Sequence, residues 1–259
     1  MIDSNFLLAL PKPFKDICEI YPPKVNDVVG SKDFNIYQTM LTISQEELDK
    51  DFHKDLVNGT VDRVPNPFEY FMANCAFNEE FKEQAINSFL FFIHEPVTII
   101  PEIRVVIIGK EEKDLDPDKD LENPRIINEG NFNLFQNAIR ESLGESAIEE
   151  EEENKIDEDP RVARIKALSR YRDKVKAEKE RREGKQLSLG TILASICCMD
   201  MGLNPLNIGE ISYASVQWLV EIYQQKESYE AGLRSLVAGA DPKKVKLKYW
   251  IRNLDNLDD

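Results

Sequence analysis

Histidine is almost missing from this chain: His53 and His94 are the two copies in 259 residues. So few imidazoles exclude most catalytic triads, histidine-rich metal centres and histidine general-base arrangements. Glycine is thin and scattered, and neither G-x-G-x-x-G nor G-x-x-x-x-G-K occurs, so no backbone cradle for phosphate can be read. H-E-x-x-H, G-x-S-x-G and C-x-x-C are absent as well. These absences predict a non-enzymatic protein with no cofactor and no resident metal. Long apolar runs are also lacking. FLFFI at 89–93 and VTIIPEIRVVIIG at 97–109 fall well short of the roughly 20 residues that a bilayer span requires, so no membrane association is expected. MIDSNFLLALPKPFKD carries no basic leader or cleavage signature, which predicts a cytoplasmic protein. Cys18, Cys75, Cys197 and Cys198 then read as core thiols.

What the chain does have is acid and hydrophobic side chains. A net charge of −15 opposes non-specific binding to nucleic acid or anionic lipid by the chain as a whole, while 42% hydrophobic content is enough to bury a core. The expected fold class is mainly α, more fully α+β. A helix-rich domain with a small β-hairpin spans 1–144, an acidic linker 145–160, and a helical domain 161–259. The Pro22-Pro23 pair predicts the end of a short helix over 13–20. Phe34, Ile36, Tyr37, Met40, Leu41 and Ile43 predict a buried helix, and Ser44 with Glu47 a capping box for the next one. Phe77, Phe81, Ala85, Phe89 and Ile93 recur every fourth residue, which predicts one long helix with a single aromatic-rich core face. VTII and IRVVIIG predict a hairpin, and the stretch after Ile126 a strand-like pair followed by a helix ending near Gly144.

Two segments invite a binding test. In the loop 110–124, Asp114, Asp116, Asp118 and Asp120 alternate as calcium ligands do. A calcium loop starting at Asp114 would place Lys119 and Arg125 where glycine and a bidentate acid are needed, so a solvated loop is expected instead. Residues 145–159 carry nine acidic side chains and one lysine, and 160–185 carry eleven basic and four acidic ones. The first stretch reads as a tether and the second as a basic helix over 161–182, opened by Asp159-Pro160 and given a short apolar stripe by Ile165, Leu168, Tyr171 and Val175. Arg161, Arg164, Arg170, Arg172, Lys174 and Arg181 are its candidate nucleic-acid contacts, with Tyr249 and Trp250 beside KKVKLK as a second cationic-aromatic feature. The adjoining acid competes for the same cations, so nucleic-acid binding stands as the alternative reading. Towards the C-terminus, QLSLGTILASICCMDMG predicts a buried helix capped near Ser188 and ended by Gly202. NIGEISYASVQWLVEIYQQ opens a long amphipathic helix or helix pair.

LLALPKPFKDICEIYPPKVNDVVG, PNPFEYF, EDPRVARIKALSRYRDKVKA and LASICCMDMGLNPLNIGEISYASVQWLVEIY, followed by GADPKKVKLKYWIRNL, carry a resemblance across most of the chain. The sequence resembles a family of tail-module proteins from phages and prophages of Gram-positive bacteria, similar in genomic placement to tail assembly chaperones. That resemblance implies a helical, acidic holdase for the tape-measure protein. It would act in the cytoplasm of the infected or lysogenic host, could self-associate, and need not persist in the virion. A structural tail or neck protein is the alternative within the same resemblance. No catalytic residue is implied. Tyr213, Trp218, Leu219, Tyr223, Tyr249 and Trp250 are the candidate partner contacts, against the plainer expectation that they pack the C-terminal core.

Overall fold

The computed structural model describes residues 4–114, 125–145, 188–199, 202–241 and 245. The fold is mainly α with a small β component, an α+β protein as the sequence predicts. The acidic tether beyond Glu145, the basic helix with its six candidate cations, most of the aspartate loop, and Tyr249 and Trp250 lie outside the described residues.

Helix α1 (Ser4–Leu7) leads into an antiparallel hairpin of β1 (Lys12–Phe14) and β2 (Cys18–Ile20), where a helix was expected. The correction has a local cause. Phe14, Cys18 and Ile20 are buried while Pro13 and Glu19 point outward, a period of two that a helix cannot satisfy. Pro13 lacks a donor and suits an edge strand. Lys15, in the left-handed region at φ 51°, turns the chain within the loop.

Helices α2 (Val25–Gly30), α3 (Phe34–Thr42), α4 (Gln45–Asp51) and α5 (His53–Val57) follow. The expected capping box is present: the Glu47 amide donates to Ser44 Oγ at 3.3 Å and the Ser44 amide to Glu47 Oε2 at 2.8 Å. Phe34, Met40 and Leu41 are buried as predicted, whereas Ile36 is exposed.

The predicted long helix is two helices, α6 (Pro67–Phe77) and α7 (Glu79–Ile93). Asn78 separates them. Its backbone is extended, and its Oδ1 accepts the Phe81 amide at 3.1 Å, capping a first turn that carries Glu79 and Glu80. The break rotates Phe77 off the stripe and leaves it 92% exposed, while Ala85, Phe89 and Ile93 keep the predicted core face.

Strands β3 (Val97–Ile100) and β4 (Val105–Ile108) form the expected hairpin. β5 (Ile126–Ile127) adds to β4 in a three-stranded antiparallel sheet of order β3-β4-β5. α8 (Glu129–Ser142) follows, capped by Asn128, whose Oδ1 accepts the Gly130 amide at 3.0 Å. The centre of the core is aromatic: Phe68, Phe71, Phe89, Phe132 and Phe135 are fully buried. Phe68 and Phe132 stand 5.0 Å apart and Phe89 stacks on Phe135 at 5.3 Å. This cluster joins α6, α7 and α8, and Phe14 ties the β1–β2 hairpin to it through an edge contact with Phe135.

Two compact units are present: residues 1–148 together with 209–259, and residues 149–208. The described residues of the stretch 161–259 divide between these two units. α10 (Tyr213–Val237) belongs with the N-terminal residues; the unit 149–208 contributes α9 (Leu189–Cys197). α9 starts at the Ser188 cap as predicted, with Ser188 Oγ accepting the Thr191 amide at 3.2 Å. It ends at Cys197, and Ile196 is its one buried side chain among the described residues, so it is less buried than its composition suggests. The cysteine expectation divides too: Cys18 and Cys75 are buried, Cys197 is half-buried and Cys198 exposed. No helix among the described residues is long and apolar enough to cross a membrane.

Candidate functional site

α10 reaches its place through main-chain contacts that its own sequence hides. The Tyr213 amide donates to the Pro23 carbonyl at 2.8 Å, the Val25 amide to the Ile211 carbonyl at 3.0 Å, and Lys24 and Ser212 form a β-bridge. Ser212 is fully buried and caps the helix through the Ser215 amide at 3.1 Å. The hydroxyls of Ser212 and Ser215 both donate to the Leu7 carbonyl. Outside this seam, Lys24 Nζ meets Glu210 Oε2 at 2.9 Å, and the ion pair raises the lysine pKa and lowers that of the glutamate. At the far side Gly144, in the left-handed region at φ 81°, ends α8 where a β-carbon would lie 3.0 Å from the Ala214 α-carbon.

The structure separates the predicted partner residues. Tyr213 is a packing residue, its ring edge-on to Phe34 at 5.7 Å. Trp218, Leu219 and Tyr223 lie with Ile222 on one side of α10, half-buried, opposite exposed Gln217, Glu221, Gln224 and Glu227. Ala214 and Val216 are the buried residues of this helix, so its first turn packs and the remainder presents apolar surface that is only partly covered. Tyr223 has its phenol pKa raised by the charge of Glu227.

A second apolar feature was missed from the sequence. Ile86 and Leu90 on α7, together with Pro96, Val97, Thr98 and Ile99 of the β3 segment, line a cleft of about 490 Å³. Lys82 of α7 and Glu111 and Glu112 complete the lining. The periodicity that buries Ala85 and Phe89 also sets Leu90 outside the core, 46% exposed; a hydrophobic residue one step off the stripe was the available signal. Arg125 fixes the corner from which β3 departs. Its Nε donates to the Ile17 carbonyl at 2.8 Å, and its Nη2 to both carboxylate oxygens of Glu95 at 2.6 Å each.

A second concavity, about 410 Å³, is bordered by Tyr21, Pro22, Pro23, Asn26, Phe91 and His94. His94 closes α7 in the left-handed region and stacks on Tyr21, the ring centroids 4.3 Å apart. Tyr21 donates to Glu19 Oε2 at 2.9 Å, a bond that raises its pKa. The charged side chain in its lining, Asp27, is exposed.

The titratable interior is quiet. Burial pushes the Cys18 and Cys75 thiols up to about 12, so both are protonated and unreactive at neutral pH. Among the described residues no group of three or more histidine, cysteine, aspartate or glutamate side chains is placed to hold a metal. Arg140 is the exception to the quiet. Its Nε and Nη2 are buried with no hydrogen-bond partner among the described residues, its Nη1 stands 3.8 Å from Glu145 Oε2, and burial lowers its pKa. No family model, curated protein or solved structure matches the chain.

Proposed function

We propose that this chain is a non-enzymatic tail assembly chaperone that holds the tape-measure protein of its phage until the tail tube polymerises around it. The observation that carries the reading is the half-covered apolar side of α10, where Trp218, Leu219, Ile222 and Tyr223 follow one another at helical spacing beyond the packed first turn. A tape-measure protein exposes apolar helical stripes before assembly, and a second amphipathic helix is the complement such a stripe needs. The charge of −15 keeps a complex of the two dispersed. On this reading the protein works in the host cytoplasm and leaves before the virion matures.

Co-expression with the tape-measure protein of the same phage tests it. The expected result is a co-purifying complex and a larger soluble fraction of tape measure, both lost in the Leu219→Glu/Tyr223→Glu double variant. No complex and no gain in solubility would sink the proposal. Stoichiometric recovery of the chain from purified particles would instead assign it to the tail or neck structure.

A further inference from the structure

We propose that Asn58 is a site of spontaneous covalent modification: in the turn that ends α5, the Gly59 nitrogen closes on the Asn58 side chain, and hydrolysis of the resulting succinimide leaves aspartate or isoaspartate. This goes beyond the tape-measure reading and does not depend on it.

The reaction needs a side-chain amide within reach of the next main-chain nitrogen, no β-carbon shielding that nitrogen, and a backbone able to rotate into a five-membered ring. Asn58-Gly59 is the only Asn-Gly pair in the chain. Residues 58–60 are exposed to water. Gly59 lies in the left-handed region at φ 70°, and a β-carbon there would meet nothing within 4 Å among the described residues. The turn is lightly held. Helix α5 is five residues long, and the Thr60 amide closes its end by donating to the Asp55 carbonyl at 2.8 Å. So short a helix gains little from cooperativity, and its exposed last turn opens at small cost in free energy.

The fold removes the competitors. Asn87-Ser88 also pairs an exposed asparagine with a small residue, but both lie inside α7. There the main-chain amide is engaged in the helical ladder and the backbone is fixed, so the ring cannot close. Asn66 and Asn204 precede Pro67 and Pro205, which have no N–H to ionise. Sequence alone offers Asn58 and Asn87; the structure selects Asn58.

In the first step the Gly59 amide gives its proton to hydroxide and its nitrogen bonds to Asn58 Cγ. The Cγ–Nδ2 bond breaks, and the amino group takes a proton from solvent and leaves as ammonia. Water then opens the ring. Attack at Cγ breaks the new Cγ–N bond and gives aspartate. Attack at the Asn58 main-chain carbonyl carbon breaks the original peptide bond and leaves Gly59 joined through Cγ, as isoaspartate. The net change replaces NH2 by OH, consumes water and releases ammonia, with no electron transfer. Either product puts a negative charge at the C-terminal end of α5, where the helix dipole disfavours it. Isoaspartate also adds an atom to the main chain between Asp55 and Thr60, the two residues whose bond closes the turn.

The test incubates the full chain in mildly alkaline buffer, with a second portion unfolded in urea, and follows the tryptic peptides 55–63 and 83–104 by mass. Asn58 is the only amide side chain in the first peptide. That peptide should gain the mass difference between asparagine and aspartate at rates within about threefold in buffer and in urea, because the turn gives little protection. Peptide 83–104 should gain it in urea but at least about tenfold more slowly in buffer, where α7 holds Asn87. After incubation, isoaspartyl methyltransferase should label peptide 55–63. Asn58→Gln, whose longer side chain would have to close a six-membered ring, should lose both the mass gain and the label. No gain in peptide 55–63 of the folded chain, or a gain that survives Asn58→Gln, overturns the proposal. So does conversion of peptide 83–104 in buffer as fast as that of 55–63, because the fold would then select nothing.

Discussion

Replacing Arg125 by methionine tests how the cleft is held open. The arginine joins the turn after β1, through the Ile17 carbonyl, to Glu95 at the corner between α7 and β3. Both members of the ion pair are about one-third exposed, 34% and 35%, so the attraction is partly screened and the buried-pair range does not apply. An exposed pair contributes about 0.2–1 kcal/mol, and a hydrogen bond to a charged group about 1.5–3 kcal/mol. The half-exposed geometry sets the Arg125–Glu95 coupling near 1 kcal/mol on those scales. Losing the Ile17 bond and leaving Glu95 uncompensated brings the single variant to a loss of about 2 kcal/mol. A urea-denaturation cycle of Arg125→Met, Glu95→Gln and the double variant separates these parts, since the cycle cancels everything except the pair. Additive single effects, with a coupling below about 0.3 kcal/mol, would refute the claim that this pair fixes the corner.

The buried guanidinium of Arg140 has two nitrogens without a partner among the described residues, so Arg140→Met should leave stability unchanged or raise it by about 1 kcal/mol in urea titration; a loss above about 2 kcal/mol would show that the charge is paired and needed. Glu69 has its pKa lowered below 4.5, first by the hydrogen bond from Arg63 and then by that from the Asn66 amide. A depressed folded pKa gives stability that is present above the ordinary carboxylate value and lost as pH falls through the folded one, so Glu69→Gln should flatten the acid limb of stability below about pH 4.5, and an unchanged limb would contradict it. With the Cys18 and Cys75 thiols held up at about 12 and Cys198 exposed, iodoacetamide at pH 8 should alkylate Cys198 first and spare Cys18 and Cys75 until the protein unfolds, as peptide mass mapping would report.

The parts of the fold legible in the sequence were those set by near neighbours. Ser44 and Glu47 announced their capping box, and the β-branched runs on either side of Pro101 announced β3 and β4. Helix α3 followed from its apolar spacing. What failed was also local, but the competing signals were closely matched. Asn78 is a strong cap just after the first member of a regular every-fourth-residue stripe, and the cap won because Glu79 and Glu80 follow it. In KPFKDICEI a proline-flanked apolar cluster reads as a helix until its alternation is counted. The seating of α10 was not legible at all. It depends on main-chain bonds between residues 23–25 and 211–213, which carry no side-chain pattern, and on two serine hydroxyls meeting the Leu7 carbonyl more than 200 positions away. The cleft was hidden for a similar reason, since Leu90 and Ile99 are unremarkable hydrophobic residues until α7 and β3 are laid side by side.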